Sequence, residues 1–112
     1  MIEKTILDHL SASLDVPCGM EVPPDPPRSF VVLEKTGETR KDCIRDAFLA
    51  VQSYAPTLLE AATLSESVVE AMLNAVQLPT VAAVALNGNY NFTDTATKRY
   101  RYQAVFDVTH YE

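Results

Sequence analysis

The residues best able to act as ligands, bases or nucleophiles are two histidines, His9 and His110, and two cysteines, Cys18 and Cys43. A metal centre needs three or four such side chains to converge. Neither histidine has a Cys, Asp or His at metal-ligand spacing. Asp8 and His9 are neighbours on a helical pattern, so their side chains diverge. The cysteines form no CxxC pair, and nothing local couples either to a histidine for nucleophilic attack. Cysteines of this kind read as small core residues. The 15 acidic residues form no recognisable acid pair, and Gly19, Gly37 and Gly88 form no phosphate-cradling loop. On these residues the chain is expected to be no enzyme, and to hold no metal and no cofactor.

Charge narrows the partners. The formal net charge is -6 over 112 residues. An acidic chain disfavours general affinity for nucleic-acid backbone and for an anionic membrane surface. Lys98, Arg99 and Arg101 make one small basic spot, which reads first as a solvated strand edge. No run approaches the ~20 apolar residues of a membrane span. The first residues, "MIEKTILDHLSASLD", carry charges throughout and have no export-signal core. Two reduced thiols in a cytoplasm are therefore expected, and the "NFT" at 91–93 has no weight as a glycosylation sequon.

The elements follow from periodicity. Ile2, Ile6, Leu7, Leu10 and Leu14 make one apolar stripe, so 2–14 reads as a helix stopped by Pro17. "VPCGMEV" at 16–22 reads as a short strand. "PPDPP" at 23–27 reads as a stiff connection to the next one. "SFVVLEK" at 29–35 is β-branched and aromatic, hence a strand, and "TGETRKD" at 36–42 reads as a turn or exposed loop. "CIRDAFLAVQSYA" at 43–55 is ambiguous by period; its neighbours favour a long strand. Thr57 and Glu60 form a capping box after Pro56, which predicts a helix over about 58–76. Its inner stripe is Leu58, Ala61, Ala62, Ser65, Val68, Val69, Met72, Ala75 and Val76.

"TVAAVALNGNYNF" at 80–92 begins as a strand, with a turn or bulge at "NG". "TDTATK" at 93–98 is a polar loop. From Arg99 to Tyr111 the side chains alternate. Tyr100, Tyr102, Ala104, Phe106, Val108 and His110 fall on one side, and Arg99, Arg101, Gln103, Val105, Asp107, Thr109 and Tyr111 on the other. The order is α-β-β-β-α-β-β. The length predicts a single domain over 1–112. The economical architecture is α+β: an antiparallel or mixed sheet of four to five strands with both helices packed on one face.

The strings "LNGNYNFTDTATKRYRYQAVFDVTHY", "VP…EVPPDPPRSFVVLEKTG" and "AVQSYAPTLLEAATL" together resemble the tail terminator, or tail completion, proteins of long-tailed phages and prophages. The resemblance covers nearly the whole chain. It implies a virion structural protein that assembles as a hexameric ring on the last ring of the tail tube. Such a ring ends tube polymerisation and presents the surface that the head connector or stopper protein joins. It implies a tail or neck location in the virion, with the host cytoplasm as the place of assembly. DNA would pass through an acidic lumen without specific binding, and no membrane would be involved. On this view Lys98, Arg99, Arg101, Gln103 and Asp107 on or beside the last strand, with Arg40, Lys41 and Asp94 in the loops, are the candidate subunit and tube interface. Arg99 and Arg101 would make ion pairs between subunits. Head completion (stopper or adaptor) proteins remain an alternative, since they are similarly small and acidic. A small prophage regulator binding a host protein is another, favoured only by the Pro-rich 23–27 segment.

Overall fold

A computed structural model describes residues 1–96 and 99–111. The elements in chain order are α1 (Ile2–Ser13), β1 (Cys18–Gly19), β2 (Phe30–Lys41), β3 (Ile44–Ala55), α2 (Leu58–Asn74), a 3-10 turn (Ala75–Gln77), β4 (Val81–Asn91) and β5 (Tyr100–Tyr111). The five strands form one mixed sheet in the order β1-β2-β3-β5-β4. Only β1 runs parallel to its neighbour; the other pairs are antiparallel. This is the expected α+β order, and both helices lie against one sheet face.

The pleat explains that face. Leu33 pairs with Val51, and Leu49 with Phe106. These residues, with Val31, Ala104 and Val108, are fully buried beneath Ile6 and Leu10 of α1 and Val68 and Met72 of α2. Burying one such side chain contributes about 1.5–3 kcal/mol. The small residues Ala61, Ser65, Ala71 and Ala75 line the inner side of α2 and let the helix approach the sheet closely. Ser65 is completely buried and donates its Oγ–H to Asn89 Oδ1 at 2.7 Å, so burial leaves no unmet polar group there. Leu58 and Val76, expected inside, are exposed instead: Leu58 is the first residue of α2, and the expected helix stops at Asn74, so Val76 falls in the 3-10 turn beyond it.

Thr57 caps α2 as anticipated: its Oγ1 accepts from Glu60 N–H at 3.1 Å, a contact of about 1 kcal/mol. The reciprocal half of the capping box is not made. The Glu60 carboxylate lies instead 3.9 Å from the Arg28 guanidinium.

Two strand boundaries differ from expectation, and at "NG" one of the two expected forms is the one made. Residues 36–41 are not a loop: β2 runs on to Lys41, and only Asp42 and Cys43 turn the chain. The polar composition of "TGETRK" reflects an arm with few buried contacts rather than a lack of pairing. The extra residue lies at Thr36, between Lys35 and Gly37, where the register shifts. Thr36 donates its Oγ1–H to the Phe48 carbonyl at 3.2 Å, and a Cβ on Gly37 would stand 3.2 Å from the Phe48 ring. "NG" at 87–88 is a bulge inside a continuous β4, not a turn. The strand expected at 16–22 shrinks to Cys18–Gly19, since prolines at 17 and 23 bracket it.

The molecule is elongated, with extents of 44 × 24 × 24 Å. One end is the β2–β3 hairpin, where residues 39–44 are all exposed. The other end gathers the start of β2, the end of β3, the end of β4 and the start of β5.

Candidate interaction surfaces

The face away from the helices is built from the alternate positions of the same strands. Its central feature is a directional chain of hydrogen bonds crossing three strands. Arg101 Nη1 donates to Tyr54 Oη at 2.9 Å, and Tyr54 Oη donates to Gln52 Oε1 at 3.3 Å. Gln52 Nε2 donates to Gln103 Oε1 at 2.9 Å, and Gln103 Nε2 donates to Tyr90 Oη at 2.5 Å. Register explains the contacts, since Gln52 stands directly opposite Gln103, Tyr54 opposite Arg101 and Tyr90 opposite Gln103. Chains of this kind polarise each member and hold one arrangement.

Arg101 is tied down further. Its Nε donates to the Phe92 carbonyl at 2.6 Å. Its guanidinium carbon lies 4.5 Å from the Phe92 ring centre and 5.7 Å from that of Tyr54. Tyr54 in turn stacks on Phe30 at 4.5 Å with planes 8° apart. The sequence placed Arg101 and Gln103 on a wet face. Arg101 is instead half-buried in the chain's own network, and Gln103 is only 9% exposed. Alternation reported their side of the sheet correctly, but it could not report that neighbouring strands supply partners for them.

The other candidates separate. Asp107 lies on the same face and accepts from Asn87 Nδ2 at 2.7 Å. Asp94 pairs with Arg99 through an isolated backbone bridge, and its Oδ1 accepts from Ala96 N–H. Arg99 is exposed at the aromatic end. Arg40 and Lys41 lie at the hairpin, roughly 35 Å away along strands of about 3.3 Å per residue. Lys98 lies outside the described residues. The candidates thus do not form one surface: Arg99, Arg101 and Asp94 lie towards the aromatic end, Gln103 and Asp107 on the middle of the sheet face, and Arg40 and Lys41 at the hairpin.

At the aromatic end, Pro26, Pro27, Arg28, Phe30, Tyr54, Pro56, Arg99 and Tyr100 surround a shallow depression of about 240 Å³. The Pro-rich segment therefore forms a wall beside the Phe30–Tyr54 stack. Arg28 was not singled out from the sequence. No local pattern marks it, because its neighbourhood forms only when the start of β2, the end of β3 and the start of β5 gather at one end of the sheet.

At the hairpin end, Glu38 receives Arg40 Nε at 2.6 Å and Lys35 Nζ at 3.2 Å; Lys35 also lies 3.8 Å from Glu3. Hydrogen bonds from Arg40 first and Lys35 second hold the Glu38 carboxyl down to about 2. Arg40 is therefore an ion-pair partner within its own strand.

His9 is used structurally: its Nε2 lies 2.8 Å from the Ala71 carbonyl and ties α1 to α2. His110 is buried, as its register implied. Burial pushes the Cys18 thiol up, partly offset by a hydrogen bond with Ser11. Cys43 is exposed in the hairpin turn, not a core residue. Both thiols are free. Among the described residues no three His, Cys, Asp or Glu side chains gather into a metal site, and no helix is long and apolar enough to cross a membrane. No protein-family model and no curated protein matches the chain.

Proposed function

We propose that this protein is a structural component of a long-tailed phage or prophage that caps the tail tube as a hexameric ring. It ends tube growth and forms the joining surface for the head connector or stopper protein. It acts in the tail or neck of the virion, performs no catalysis and needs no cofactor. DNA passes through its lumen without specific binding.

The observation that carries the reading is the two-ended shape. An elongated body presents a hairpin with residues 39–44 exposed at one end and an arginine-flanked aromatic depression at the other. A ring needs two different patches on every subunit, and a joint between tube and head needs two different ends. The helix-free sheet face adds a mixed polar and apolar surface of the kind subunits share. The resemblance of the sequence to tail terminators, spread over nearly the whole chain, supplies the biological setting.

The direct test uses purified tail-tube protein from the same phage genome, polymerised with and without this chain. Tubes whose mean length falls as the chain is added, with the chain located at tube ends by gold labelling, support the reading. Tubes of unchanged length with no end labelling contradict it.

A further inference from the structure

Two surfaces of this chain carry unrelieved charge of opposite sign. Between Arg45 and Lys98 there is no Lys or Arg, and α2 lies wholly within that stretch. Leu59, Thr63, Glu66, Glu70 and Leu73 recur along α2 at spacings of four and three, which makes one face. That face is opposite the buried Ala61, Ser65, Val68 and Met72. All five residues are exposed, Leu59 by 77% and Leu73 by 42%. Glu66 and Glu70 make no ion pair or hydrogen bond through their side chains among the described residues. Four residues apart on a helix, they repel one another. An exposed helix face usually relieves such a pair with a lysine one turn away, and this chain places none there.

The complementary surface is the depression at the aromatic end. Arg28 and Arg99 flank it, and both are exposed. Arg28 has one carboxylate nearby, Glu60 at the loose distance of 3.9 Å. Arg99 makes no side-chain ion pair among the described residues. Each surface thus has two like charges beside exposed apolar groups, and the two surfaces carry opposite signs. They are also displaced from one another: Glu66–Leu73 lies about 12–22 Å along α2 from its start at that end.

We infer that a second copy of this chain sets the Glu66–Glu70–Leu73 face of its α2 against the Arg28–Arg99 depression. The two arginines meet the two carboxylates, and Leu73 packs on the proline and aromatic wall. Each subunit uses one patch on either side, so subunits join head to tail as a closed ring requires. This inference rests on the ring reading and names the contact that closes it.

The test is a charge exchange read by sedimentation velocity and native mass spectrometry at low salt. One variant carries Arg28→Glu and Arg99→Glu; the other carries Glu66→Lys and Glu70→Lys. All four positions are exposed, and circular dichroism verifies that both variants fold. The wild type is expected to form a species larger than a dimer that weakens as salt rises. Each variant alone is expected to lose about a hundredfold in assembly affinity, since like charges then face each other. Mixing the variants restores assembly with alternating subunits, because every contact is again between opposite charges; a chain carrying all four changes also reassembles.

Assembly that survives both variants overturns this contact and leaves the ring intact. Loss without recovery on mixing also overturns it, because the two patches then do not meet. A wild type that stops at two subunits excludes the head-to-tail arrangement. A wild type that stays monomeric even at high concentration and low salt overturns the contact in solution, and the tube-length assay above then judges the capping role separately.

Discussion

The ionisation of Glu38 is decided by two neighbours. Arg40 and Lys35 both donate to its carboxylate, so the ionised form is favoured in the folded chain, with its pKa lowered from 4.5 to about 2. A depressed carboxylate stabilises the folded state above its unfolded pKa. That contribution is lost as pH falls through the folded value. The difference in urea midpoint between wild type and Glu38→Gln is therefore expected to be constant above about pH 5. It should shrink between pH 4.5 and 2. A difference that stays constant down to pH 2 would show that the two cations do not hold the carboxylate in solution. Gln103 shows the same dependence on neighbours in a neutral setting. Its position on the open face was readable from alternation, but its burial was not, because Gln52 and Tyr90 reach it from strands 51 and 13 residues away in sequence.

Among the elements, the hairpin of β2 and β3 departs furthest from what local composition suggests. "TGETRKD" has the polar, Gly-containing make-up of a loop, yet 36–41 pairs residue by residue with β3. A strand with both faces near solvent has no hydrophobic alternation to announce it. The β5 strand is the opposite case. One face lies under α2, so Ala104, Phe106 and Val108 alternate with less buried residues and the strand could be read directly. Helix α2 was legible for a third reason, a local cap whose geometry needs no distant partner. The hairpin depends on a two-residue turn with Asp42 at a φ of 59°. Asp tolerates that left-handed conformation and a β-branched residue does not. Asp42→Val is expected to destabilise the protein by about 1–2 kcal/mol, read by urea unfolding, while Asp42→Gly leaves stability equal or higher. If both substitutions behave alike, the turn does not hold that conformation.

At the scale of the whole molecule the protein is asymmetric in charge. The cation-free stretch between Arg45 and Lys98 holds the whole of α2, while Arg28, Arg99 and Arg101 collect at one end of the molecule. The divided charge was present in the sequence from the start. It became a pair of surfaces only once α2 turned Glu66 and Glu70 outward and the sheet brought residues 28 and 99 together. Two ends and two charged patches suit a subunit that must contact copies of itself sideways and different partners above and below. The central claim is that such a ring ends the tail tube. Electron microscopy of lysates from a phage lacking this gene tests it most directly. Overlong or ragged tubes without heads are the expected result. Tails of normal length beside heads that leak DNA would contradict it and move the protein to the head side of the joint; complete infectious particles would contradict any structural role in the neck.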